Sequence, residues 1–87
     1  MNRRIGVIGI VVEERGRVVD SLNRILSQHA GLIIGRMGIP YREHDISVIS
    51  IIVDGTTDQI GSLTGKLGNL EGVTLKSALT SREIPAD

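Results

Sequence analysis

Two histidines, one polar run and one glycine-flanked arginine are the residues best suited to chemistry in this 87-residue chain. His44 stands in Tyr41-Arg42-Glu43-His44-Asp45, where a phenol, a guanidinium, two carboxylates and an imidazole are contiguous. Either this stretch is an ordinary solvated hairpin, or His44 offers a ring nitrogen to a metal ion shared with groups of a neighbouring subunit. His29 closes a helical segment, where a protonated imidazole is favoured by the helix dipole without any ligand. Gly35-Arg36-Met37-Gly38-Ile39-Pro40-Tyr41 puts a charge inside a strand-like segment, beside glycines that leave room for close approach. One reading has Arg36, with Gly38, Tyr41 and Arg42 beside it, holding a carboxylate of a small ligand or of a neighbouring subunit. The other is an edge strand kept from aggregating by its charge and its proline.

Much chemistry is excluded. No nucleophile stands beside a base, and no paired carboxylates or Ser/His/Asp group would be assembled. The chain is therefore not expected to be an enzyme. The glycines of IGVIGIVV and GRMGIPY match neither the dinucleotide fingerprint nor a phosphate loop, because no helix start follows at the right spacing. No cofactor is expected. With no cysteine, disulfides, thiolates and sulfur-ligated metals are all ruled out. Ten basic residues balance ten acidic ones, so no basic surface for nucleic acid is expected. A single Tyr, with no Phe or Trp, leaves no platform for stacking bases. No apolar run approaches the roughly 20 residues of a membrane span, and a cytoplasmic location is expected.

The elements that must position these groups are legible from periodicity. Ile, Val and Leu number 29, enough for a real core. Ile5 to Val12 reads as a buried strand, and Arg17 to His29 as a helix with Val18, Leu22, Ile25 and Leu26 on one face. Gly31 ends that helix. Leu32 to Tyr41 and Ile46 to Val53 are strands joined by the polar hairpin. Thr56 with Gln59 three residues on forms a capping box for a second helix, whose stripe is Ile60, Leu63, Leu67 and Leu70. Val73 to Thr80 alternates as a half-exposed strand. The expectation is one ferredoxin-like βαββαβ domain over residues 1–80, an α+β sandwich with two helices on one face of a four-stranded antiparallel sheet. Strands one and three should be central, and residues 81–87 a loose tail.

The central strands are apolar on both sides, although the helices can cover only one. A second copy of the chain over the open face, or beside the sheet, resolves this, so a homodimer or higher homo-oligomer is expected. Gly61, Gly65 and Gly68 share one side of the second helix. They mark either a weak surface helix or the close approach of a partner helix or ligand.

Val12-Glu13-Glu14-Arg15-Gly16 and the amphipathic segment to His29 are similar to the first strand, turn and helix of ACT-type regulatory domains. RIGVIGIVVEE, GRMGIPYRE and Thr64-Gly65-Lys66-Leu67-Gly68 together closely resemble the small proteins grouped as iron-only hydrogenase system regulators, over nearly the whole chain to about Thr80. The resemblance implies an oligomeric ACT-like fold, akin to the C-terminal domain of nickel-responsive regulators, in an anaerobic bacterium with an iron-only hydrogenase. It also implies ligand binding, an amino acid for instance, at Glu13, Glu14, Arg15 and Gly16 near a subunit interface; an ordinary solvated turn is the alternative. Nickel-responsive domains use several His and a Cys, and only His29 and His44 are present here, so nickel sensing by that scheme is not expected. With no DNA-binding domain in evidence, any regulatory effect should pass through a protein partner. The functional expectation is a non-enzymatic, ligand-sensing regulatory module. The alternatives are a metal sensor using His44 across a subunit interface and a purely structural oligomerisation module.

Overall fold

In the computed structural model, which describes residues 2–14 and 16–85, the order is β1 (Arg3–Glu13), α1 (Val18–Gln28), β2 (Ile33–Tyr41), β3 (Ile46–Gly55), α2 (Thr57–Gly68) and β4 (Val73–Ile84). Single 3-10 turns, Ala30–Leu32 and Arg42–His44, lead into and out of β2. The β-branched run of β1 has a partner on each side: β3 and β4, both antiparallel. The sheet order is β2-β3-β1-β4, so β1 and β3 are central, as the two-sided apolar pattern requires. This is the expected βαββαβ split.

Burial alternates strictly along the central strands. Ile8, Ile10 and Val12 of β1, with Ile49, Ile51 and Val53 of β3, face the helices and are at most 5% exposed. Leu22 and Leu26 of α1 and Ile60, Leu63 and Leu67 of α2 close over them at helical spacing. Burying each such side chain contributes about 1.5–3 kcal/mol, so the single layer between sheet and helices supplies most of the stability.

The helices start differently. At α2 the capping box is complete: the Gln59 N–H donates to Thr56 Oγ1 at 3.1 Å, and the Thr56 N–H to Gln59 Oε1 at 2.9 Å. At α1 the N-cap is Arg17, whose side chain makes no capping hydrogen bond. The turn into α1 depends on Gly16 at φ +64°, and the turn from α2 to β4 on Gly72 at φ +87°, a region costly for residues with a Cβ. Along the outer side of α2, a Cβ at Gly61, Gly65 or Gly68 would meet nothing within 4 Å.

The last strand is longer than its alternation suggested. A loose tail was expected from Ser81, but β4 runs to Ile84 and pairs Glu83 with Arg4 and Ile84 with Arg3. A bulge between Arg4 and Gly6 resets the register, which breaks the alternation in the sequence. Long-range bonds hold the extension: Thr80 Oγ1 donates to the Ile5 carbonyl at 2.9 Å, and Arg4 lies 3.8 Å from the Glu83 carboxylate. Ala86 and Asp87, the end of the expected tail, lie outside the described residues. Among the described residues, no helix is long and apolar enough to cross a membrane.

Candidate functional site

The antiparallel order brings three connections to one end of the sheet: the β1–α1 turn, the β2–β3 hairpin and the α2–β4 turn. Backbone bonds tie them together. The Glu13 N–H donates to the Gly72 carbonyl at 2.9 Å, and the Glu14 N–H donates to the Asp45 carbonyl at 2.9 Å. Asp45 takes a left-handed conformation (φ 52°, ψ 42°), which closes the 3-10 turn Arg42–His44 and lets β3 begin at Ile46. Ser47 Oγ donates to Glu14 Oε1, anchoring that carboxylate to β3.

Clefts open around this junction. The largest, about 490 Å³, is lined by Glu13, Gly16, Arg17, Val18, Glu71 and Gly72. It lies at the start of α1, whose N–H groups carry the positive end of the helix dipole. Glu13 packs against Gly72, where its Oε2 lies 3.2 Å from the place a Cβ would occupy. A second cleft of about 300 Å³ is bounded by Glu13, Glu14, His44 and Asp45. A third of about 410 Å³ is bounded by Glu14, Pro40, Arg42, Asp45 and Ile46. Tyr41 and His44 meet edge to face, ring centroids 4.8 Å apart at 77°. That contact is a stable aromatic geometry and accounts for the placement of His44 without a ligand.

Of the residues singled out in the sequence, Glu13, Glu14, Gly16, Tyr41, Arg42 and His44 gather at this end. Arg15 lies outside the described residues. Arg36 and Gly38 do not join them. They pair with Ile51 and Ile49 in mid-strand, and Arg36 is five residues, about 17 Å, from Tyr41. The Arg36 guanidinium donates to Asn23 Oδ1 of α1 at 2.8 Å, so its partner is an amide of its own chain rather than a carboxylate. Its charge is tolerated because β2 is an edge strand and the side chain is exposed.

The histidines sit at opposite ends of the sheet. His29 Nε2 lies 3.3 Å from Lys66 Nζ of α2, far from the hairpin that holds His44. Among the described residues, no group of three or more His, Cys, Asp or Glu is placed to hold a metal ion.

Arg17, Glu71 and Gly72 belong to the cleft and were missed in the sequence. The topology carries the missing signal: with β4 beside β1, the residues just before β4 must lie against the end of β1. A glycine between a helix stop and a strand marks the turn that brings Glu71 there.

Solved structures share this fold. The uncharacterized protein TM1266 of Thermotoga maritima superposes with a TM-score of 0.87 at 34% identity, over 88% of this chain and 96% of that one. The ACT domain of GTP pyrophosphokinase from Chlorobium tepidum matches in crystal form with a TM-score of 0.75 at 19% identity, covering 87% of this chain and 99% of that one. In solution the same domain gives 0.68 at 18% identity, over 92% and 89%. At these lower identities the likeness shows the fold, which is ACT-like. No curated protein matches the sequence. The model of the TM1266-like family, described as "Iron-only hydrogenase system regulator, putative", matches residues 4–77, and the chain belongs to that family.

Proposed function

We propose that this chain is a non-enzymatic regulatory module that works as a homo-oligomer and senses a small zwitterionic metabolite, such as an amino acid. Its setting is the iron-only hydrogenase system named in the family's description. The observation that carries this reading is the cleft at the start of α1. Its walls supply both charge signs that a zwitterion needs. The N–H groups at the start of α1, with Arg17, suit a carboxylate. Glu13 and Glu71 suit an ammonium group. The absence of a nucleophile–base pair supports a binding role over a catalytic one. The regulatory output passes to a protein partner, because the balanced charge offers no nucleic-acid surface.

The test is thermal unfolding of the untagged protein with each proteinogenic amino acid in turn, repeated on Glu71→Gln. A ligand at ten times its Kd adds about 1.4 kcal/mol and moves Tm by several degrees in a domain of this size. The expected result is a rise in Tm with at least one amino acid that Glu71→Gln reduces. If no amino acid raises Tm, or if Glu71→Gln responds like the wild type, the reading is wrong.

A further inference from the structure

The open face of the sheet has a relief that fits itself. Val7, Val11, Val48 and Ile52 on the central strands point away from the helices, with Met37 and Ile39 on β2 beside them and Tyr41 at the hairpin end. These seven residues are each 37–66% exposed and form a contiguous apolar face, the kind of surface that marks a protein–protein contact. The pairing register sorts them into rows across β2, β3 and β1. One row reads Gly35, Ile52, Val7; the next reads Met37, Ser50, Gly9; the third reads Ile39, Val48, Val11. In the first row the small residue is on β2 and the larger on β1. In the middle row the order is reversed: Met37, 66% exposed, is on β2 and Gly9 on β1, with nothing within 4 Å of a Cβ placed there.

We propose that a second copy of this chain docks on this face, sheet against sheet, about a twofold axis running along β3. Such an axis maps β2 of one copy onto β1 of the other and leaves every row facing itself. Met37 of each copy then enters the hollow over Gly9 and Ser50 of its partner. Gly35 receives Val7, Ile39 meets Val11, and Ile52 and Val48 each meet their own copies. Aligned sheets pack in this way at about 10 Å separation. Lys76, beside Gly9 on β4, falls outside the partner's β2 edge, and Asp54, held 3.3 Å from Arg3, follows Ile52 on β3 and bounds the apolar rows at that end. An unrelated partner would need to match two oppositely ordered rows, whereas a second copy matches them by symmetry. The proposal rests on the self-association proposed above and is independent of the ligand.

The experiment measures the dimer dissociation constant by sedimentation for the wild type, Gly9→Leu, Met37→Ala, and the double variant, with circular dichroism confirming each fold. Gly9→Leu fills the hollow and should weaken the dimer by about tenfold or more. Met37→Ala, which empties it, should weaken the dimer less. The double variant moves the knob to the other strand and should recover most of the affinity lost in Gly9→Leu. A wild-type dimer indifferent to both single changes would place the interface elsewhere, for example at the β2 or β4 edge, and would overturn this face while leaving self-association intact. Equal weakening in Gly9→Leu and the double variant would overturn the Met37–Gly9 pairing. A monomeric wild type at micromolar concentration would overturn self-association and this face together.

Discussion

Leu79 of β4 lies across Gly6 of β1, so closely that a Cβ on Gly6 would run into Leu79 Cδ2 and stand 3.0 Å from the Ala78 carbonyl oxygen. The contact joins the longest edge strand to a central one just beside the bulge that resets their register. Leu79 can turn away, but the Ala78 carbonyl belongs to the backbone and cannot move without disturbing the β1–β4 pairing.

Gly6→Ala should therefore destabilise the domain by about 1–3 kcal/mol, the usual range for overpacking a tight site. Urea unfolding with an unchanged m-value would measure it. Stability equal to or above that of the wild type would show that β4 does not hold this position.

Gly65→Ala should have the opposite sign. The position is mid-helix and exposed, and a Cβ there meets nothing within 4 Å. Removing the backbone freedom of glycine from a helix interior is worth about 1 kcal/mol. A higher urea midpoint with unchanged self-association would identify this side of α2 as a plain surface. Loss of assembly would instead make it an interface.

Thr56→Ala should cost about 1 kcal/mol, because it removes the acceptor for the Gln59 N–H and breaks the capping box. Thr56→Ser should recover most of the loss, since the hydroxyl is the part used. Thermal unfolding of the pair distinguishes a capping role from simple side-chain packing.

Arg36→Ala should change stability by about 0.5 kcal/mol or less, as expected for an exposed hydrogen-bonded charge. It should leave any amino-acid response intact, because the side chain bonds Asn23 and lies mid-strand, away from the turns. A lost response in Arg36→Ala, measured by the same thermal shift, would move the ligand from the α1 cleft to the β2 edge.

What was legible in the sequence was local. The capping box of α2 spans four residues, and the stripes of both helices repeat within a turn or two, so both could be read directly. The two-sided apolar character of β1 and β3 likewise fixed them as central strands and left one face uncovered. What could not be read depends on neighbours distant in the chain. The end of β4 is held by Arg3, Arg4 and Ile5, and the bulge that permits this disrupts the alternation that would have announced it. The partner of Arg36, Asn23, lies on another element, thirteen positions away in the chain. Glu71 and Gly72 reach the candidate cleft through sheet order, and nothing in their own neighbourhood points to Glu13.

Native mass spectrometry of the untagged protein, alone and with the amino acid that most raises Tm, tests the central claim most directly. It counts subunits and bound small molecules in one spectrum. The account predicts an oligomer of even subunit number that gains one ligand mass per subunit, with the gain lost in Glu71→Gln. A monomer at micromolar concentration, or an oligomer that gains no mass from any amino acid, would contradict it.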